Sequence, residues 1–220
     1  MNRRLVLLAI SLSLACPAMA AQRAKPRPRP AAPVPPPPRL GDTVRVVLTT
    51  ELGAIELELD HKHAPITTEN FVRYVDARKF DGIAFYRAMK LAWGPQPNGL
   101  VQAGLQANPA KIFKPIVHEP TSQTGVLHKA GAISMARYAP GTATADFSIL
   151  LSDLPSLDAD PASSDPEARA GFAAFGHVTS GMDVARRILD APVSATKGEG
   201  PLKGQMLEPP VRILTARRMP

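Results

Sequence analysis

Apolar and polar positions alternate along the chain from Thr43 onward. Val44, Val46 and Leu48 alternate with Arg45, Val47 and Thr49, and Ile55-Glu56-Leu57-Glu58-Leu59-Asp60 keeps a period of two without a break. That period puts one side of a segment on a core and the other in water, so both segments read as strands. Glu51-Leu52-Gly53 supplies a turn that joins them into a hairpin. The period then changes. Pro65 suits the first turn of a helix, and Phe71, Val72 and Val75 fall at helical spacing within a continuation over Thr67 to Lys79. Ala84 to Ala88, Leu100 to Ala103, Ala132 to Ala136 and Phe147 to Leu151 read as short strands. Leu154 to Gly171, rich in Asp, Pro, Ser and Ala, reads as a surface loop. Ser180-Gly181 precedes a second helix, Met182 to Asp190, with Met182, Ala185, Ile188 and Leu189 on one face and Pro192 as its stop. Val211 to Ala216 is a last strand. Many short strands with turn signals and two well-separated helices predict a mainly β fold, a closed antiparallel barrel with helical caps.

The first 42 residues follow other rules. Arg3 and Arg4 precede an apolar run, Leu5 to Ala15, and Ala18-Met19-Ala20 places small residues where a signal peptidase reads them. Residues 1–20 therefore read as a signal peptide, too short for a mature membrane anchor, and a periplasmic or secreted location is expected. Cys16 is the only cysteine. Cleavage after Ala20 leaves no thiol, hence no disulfide and no cysteine nucleophile. Cleavage before Cys16 would instead make a lipoprotein, but Ser13-Leu14-Ala15 holds leucine one position away from its usual place, which ranks that reading second. Residues 21–42 read as a Pro/Arg-rich linker. Its prolines favour polyproline II at about 3.1 Å per residue, a spacer of ~55 Å. The folded domain is taken as 43–220, with no other segment suited to spanning a membrane.

Charge changes the picture only once it is located. The net charge is +7. Arg3 and Arg4 supply two of these; Arg23, Lys25, Arg27, Arg29 and Arg39 against Asp42 supply four, leaving +1 for the rest. A nucleic-acid-binding domain carries its positive charge on a folded face, so no nucleic-acid partner is expected.

Several kinds of chemistry lack their residues. There is no Gly-x-Ser-x-Gly elbow, Walker loop or Gly-x-Gly-x-x-Gly. His61-x-His63 has no third ligand at suitable spacing, so no metal is expected. His118, His128 and His177 stand alone in the sequence and read as solvated loop histidines. Hydrolase chemistry through Ser148 would need a base that the sequence does not indicate.

What remains is an ordered series of short motifs. They are Ala64-Pro65-Ile66-Thr67-Thr68-Glu69-Asn70-Phe71, Phe85-Tyr86-Arg87, Val101-Gln102-Ala103-Gly104, Gly131-Ala132-Ile133-Ser134-Met135-Ala136-Arg137, Phe172-Ala173-Ala174-Phe175-Gly176-His177-Val178 and Gly181-Met182-Asp183-Val184. From about residue 44 to 216 the series resembles the cyclophilin-type peptidyl-prolyl cis–trans isomerases, and the hairpin Leu48 to Asp60 and the ending Pro210 to Ala216 resemble their bacterial periplasmic branch. The resemblance implies a barrel of eight antiparallel strands closed by two helices. It also implies rotation about Xaa–Pro bonds of exported proteins, assisting their folding, with no cofactor and with proline-containing polypeptides as partners. A monomer is expected. Arg87 matches the family's catalytic arginine, and Gln102 the glutamine that holds substrate and arginine. The backbone at Ala136 and Arg137 matches the wall for the residue before proline. Leu100, Ser148 and Phe172 match the remaining substrate-binding positions.

Three departures bear on the site. The arm Ala88 to Asn98 is longer than the family's and contains Trp93, the only tryptophan. Counted back from Gln102, Leu100 takes a methionine position and Gly99 a phenylalanine position, unless the longer arm shifts Leu100 toward the latter. Asp146-Phe147-Ser148-Ile149 stands where the family reads Gln-Phe-Phe-Ile, so Ser148 replaces the aromatic floor of the proline pocket. Phe172 stands where many eukaryotic members carry histidine. Each lost aromatic removes up to about 1.5–3 kcal/mol of burial. Trp93 or Met89 is a candidate to refill the pocket. A weakly catalytic or inactive peptide-binding module is the alternative function.

Overall fold

The structure is a computed structural model that describes residues 40–220; the segment read as a signal peptide and nearly all of that read as a linker lie outside them. Eight strands, β1 (Thr43–Thr50), β2 (Gly53–Asp60), β3 (Ala84–Lys90), β4 (Gly99–Gly104), β5 (Ala132–Met135), β6 (Phe147–Leu150), β7 (Ala173–Ser180) and β8 (Met206–Arg218), close into a barrel in the order β1-β2-β7-β5-β6-β4-β3-β8. All pairings are antiparallel. The helices are α1 (Pro65–Asp76), α2 (Thr121–Thr124), α3 (Pro166–Ala170) and α4 (Met182–Asp190). The two longer ones, α1 and α4, are those the apolar spacing predicts. Among the described residues no helix is long and apolar enough to cross a membrane.

Closure removes sheet edges and leaves each strand an inner and an outer row. Val46, Leu48, Ile55, Leu57 and Leu59 point inward and are fully buried. From α1, Phe71 enters the barrel, its ring centroid 5.0 Å from Phe80, 5.1 Å from Phe147 on β6 and 5.5 Å from Phe175 on β7. On α4, Val184, Ala185, Ile188 and Leu189 are buried and pack into the same core.

Three elements differ from the sequence reading for identifiable reasons. α1 stops at Asp76 rather than Lys79, because Arg78 takes a left-handed conformation and Phe80 turns inward to stack on Tyr74 at 5.2 Å. β8 begins before Pro209 and Pro210, which end no strand here. They lie beside the register shift between β3 and β8, where ladder hydrogen bonds are already interrupted. β7 has no alternation to betray it, since Ala173, Ala174, Phe175 and Gly176 are all buried.

Helix α1 needs help at its start. Its N-cap is Ala64, whose side chain caps nothing. The buried carboxylate of Glu119, far along the chain, takes over: Oε1 accepts from Ile66 N–H at 3.1 Å, and Oε2 from Thr67 N–H at 2.7 Å and Thr67 Oγ1–H at 2.6 Å. These satisfy otherwise orphaned donors and place negative charge at the positive helix end. Glu119→Ala is expected to lower unfolding free energy by about 2–3 kcal/mol, read as a shift in urea midpoint without loss of the folded baseline.

Candidate functional site

The outer face of β3, β4, β6 and β5 carries the site, and a β-bulge starts it. Between β3 and β4 the register slips after Phe85, so Phe85 pairs with Ala103 and Arg87 pairs with Gln102. Phe85 and Ala88 are buried in the core. The extra residue between them lets Tyr86 and Arg87 both face outward. Cross-strand partners share a face, so the register lines up Arg87, Gln102, Ser148, Ser134 and Ala174 across five strands.

Arg87 is held on three sides. Its Nη1–H donates to Gln102 Oε1 at 2.8 Å, its Nε–H to Gln205 Oε1 at 2.8 Å, and its Nη2–H to Met89 Sδ at 3.5 Å. A guanidinium has five N–H donors, so two remain without a protein acceptor among the described residues. Gln102 is oriented in turn, because its Nε2–H donates to Tyr86 Oη at 2.7 Å and so turns its oxygen to Arg87. Tyr86 O–H donates to Asp146 Oδ1 at 2.9 Å. Burial and the Asp146 carboxylate hold the phenol far above its ordinary titration range, so it stays a donor. Burial lowers the guanidinium pKa of Arg87; the group remains cationic at neutral pH. Asp146 also caps the backbone N–H of Gln106 and Ala107. It can do so because position 104 is glycine: a Cβ there would lie 2.5 Å from the Asp146 carboxylate.

Beside Arg87 lies an apolar patch. Leu100, Ala132, Leu150 and Leu154 are buried together, with Met89, Leu91 and Leu157 packed on them. Leu100 alternates with Gln102 on the outward row and pairs with Met89, whose sulfur meets the guanidinium. At position 99 no aromatic side chain fits, because a Cβ would meet the Met89 carbonyl oxygen closer than any real contact. Met89 reaches Arg87 from two residues along β3; Trp93 is 65% exposed and does not refill the pocket. Ser148 is buried between Gln102 and Ser134 and, among the described residues, has no histidine hydrogen-bonded to it.

The remaining predicted residues flank the ends of the strands: Ala136 and Arg137 follow β5, and Phe172 precedes β7. The backbone N–H of Ala136 donates to Asp146 O at 2.8 Å, continuing the β5–β6 ladder, so that donor is occupied. The Arg137 guanidinium carbon sits 4.6 Å from the centroid of Phe172, and its N–H groups donate to Gly171 O and Glu167 Oε2. Arg137 and Phe172 therefore form one stacked unit.

Two features carried no signal in the sequence. Gln205 precedes β8 in a stretch without periodicity, yet it fixes one edge of Arg87. His128 corrects the solvated reading: its side chain is fully buried, with Nδ1 2.7 Å from Asp158 Oδ1 and Nε2 2.8 Å from Ser134 Oγ. His61 and His63 are engaged by Glu69 and Asp60. Burial, opposed by Asp158, holds the His128 pKa below the ordinary imidazole value. A lowered folded pKa favours the neutral form in the native state. Stability from this group is thus complete above about pH 6.5 and lost as pH falls through and below it. The urea midpoint is expected to fall between pH 7.5 and 5.5, and to fall less in His128→Gln.

The chain is similar to known proteins. A family model described as "Cyclophilin type peptidyl-prolyl cis-trans isomerase/CLD" matches residues 45–218. A peptidyl-prolyl cis-trans isomerase of Acinetobacter baylyi is 34% identical over 153 residues, covering 68% of this chain and 73% of its own length. Peptidyl-prolyl cis-trans isomerase A of Dickeya dadantii is 34% identical over 150 residues, 66% of this chain and 71% of its own. The crystal structure of a Cryptosporidium parvum cyclophilin type peptidyl-prolyl cis-trans isomerase in the presence of the dipeptide Ala-Pro has a TM-score of 0.62 at 17% identity, covering 80% of this chain and 99% of that chain.

Proposed function

The chain belongs to the cyclophilin-type peptidyl-prolyl cis–trans isomerase family, and we propose that the Arg87 face is where it binds an Xaa–Pro bond and rotates it. The observation that carries this is the held guanidinium, with two N–H donors unengaged among the described residues, beside an apolar patch. The barrier to rotation, about 18–20 kcal/mol, is amide resonance. When the bond twists, the prolyl nitrogen regains its lone pair and becomes a hydrogen-bond acceptor. A donor aimed at that nitrogen binds the twisted state and not the planar one, which lowers the barrier rather than merely tightening binding. Exchange that takes roughly 10–100 s unaided reaches milliseconds if about 5–6 kcal/mol is supplied. No covalent step is required.

Each neighbour has a part in this reading. Tyr86, Gln102 and Gln205 fix the fork, so little reorganisation is left for the reaction. Leu100, with Met89 beside it, takes the prolyl ring. Ser148 leaves the floor of the pocket shallow and polar, which favours modest affinity for proline. Ala136, Arg137 and Phe172 border the part of the peptide before proline. One chain supplies all these side chains, so a monomer suffices. The signal-peptide pattern of residues 1–20 supports export, to the periplasm or beyond, and proline-containing exported polypeptides as the substrates whose folding is assisted.

Binding is tested by titrating the ¹⁵N-labelled protein with a short Ala-Pro peptide. Shifts are expected at Arg87, Leu100, Gln102 and Ser148. Shifts confined to another face would contradict the assignment.

A further inference from the structure

Ser134 stands on the outward row of β5, cross-strand from Ser148 on one side and Ala174 on the other. Ser134 is buried, and its hydroxyl is bonded to an imidazole rather than left to water. Ser134 Oγ is 2.8 Å from His128 Nε2, and His128 Nδ1 is 2.7 Å from Asp158 Oδ1. The same carboxylate oxygen accepts the His128 backbone N–H at 3.0 Å, which locks ring and acid together. With a carboxylate at Nδ1, the ring proton belongs there. Nε2 is then the acceptor, and Ser134 must donate its proton to it. The depressed pKa of the buried ring agrees with a neutral base. Hydroxyl, base and orienting carboxylate stand in the order that activates a serine. They come from three separate places, β5, the segment before it and the loop after Leu157, so no sequence motif announced them. The isomerase reading uses none of them.

We infer that Ser134 is an activated nucleophile that accepts an acyl group from small, slender esters reaching the face beside Ser148. In the step, the Oγ–carbon bond forms and the ester carbon–alkoxy bond breaks. The serine proton passes to His128 Nε2 and from there to the departing alkoxide. Water attacks the acyl-serine by the same route, and its proton returns to Ser134 Oγ. Ser134 is only 3% exposed, so bulky esters are excluded.

The test is covalent labelling of the whole protein with a short alkyl fluorophosphonate, in which an Oγ–phosphorus bond forms and fluoride leaves with the serine proton. Peptide mapping by mass spectrometry locates the adduct. The expected result is one adduct, on Ser134, absent in Ser134→Ala. Asp158→Asn keeps the size of the acid but removes the negative charge that stabilises the imidazolium formed when His128 takes the serine proton, and should slow labelling at least about 100-fold. Near-ultraviolet circular dichroism confirms that both variants are folded. Any of three results would overturn the inference: no adduct on folded wild-type protein while a serine hydrolase in the same tube is labelled, an adduct on another serine alone, or labelling of folded Asp158→Asn at the wild-type rate.

Discussion

Alanine at position 87 is expected to lower kcat/KM for Xaa–Pro isomerisation about 100–1,000-fold, equivalent to about 2.7–4 kcal/mol of transition-state stabilisation. The loss should fall mainly on kcat, because the donor matters most once the prolyl nitrogen has become an acceptor. Peptide affinity should change less, since Leu100 and Gln102 remain. Lysine should rescue little. Its ammonium cannot reproduce the planar fork that meets Gln102 and Gln205 at 2.8 Å each while still facing the substrate. Gln102 and Gln205 would lose a shared partner in either variant, so thermal unfolding must be measured alongside to separate lost chemistry from lost structure.

Phe71→Ala is expected to cost about 3–5 kcal/mol, a large part of the 5–15 kcal/mol that holds a typical domain together. Phe71 is 1% exposed and touches three other rings contributed by β6, β7 and the turn after α1. Removing it opens a cavity where helix and barrel meet. The effect should reach the site, because Phe147 under that ring adjoins Ser148, which pairs with Gln102. Urea unfolding followed by fluorescence and by far-ultraviolet circular dichroism gives the stability loss. Assay at a temperature where the variant is folded should show a smaller fall in activity.

How much of this was legible depends on what kind of signal each part leaves. The hairpin of β1 and β2 is half-buried, so its burial writes a period of two into the sequence. Helix α4 does the same with its row of Val184, Ala185, Ile188 and Leu189. β7 leaves no such trace, because both its faces are covered where it crosses between β2 and β5. Arg87 and Gln102 could be found because they sit in motifs that resemble a known family. Their mutual hydrogen bond could not, since it depends on a bulge that skips Tyr86 between paired strands. Glu119, Gln205 and the His128–Asp158 pair act across long stretches of chain, and local pattern carries no information about such contacts. The long arm misled in part: Met89 meets Arg87 because both stand on β3 two residues apart, whereas Trp93 is left in solvent and the backbone at Gly99 has no room for an aromatic side chain.

Acceleration of Xaa–Pro rotation by this face is read out by exchange NMR of a short Ala-Pro peptide. Catalytic amounts of the folded protein should merge or broaden the cis and trans proline signals, and Arg87→Ala should restore them toward the uncatalysed spectrum. Unchanged exchange in the presence of folded wild-type protein, with peptide shifts still reporting binding, would rule out an isomerase and leave a peptide-binding module without catalysis.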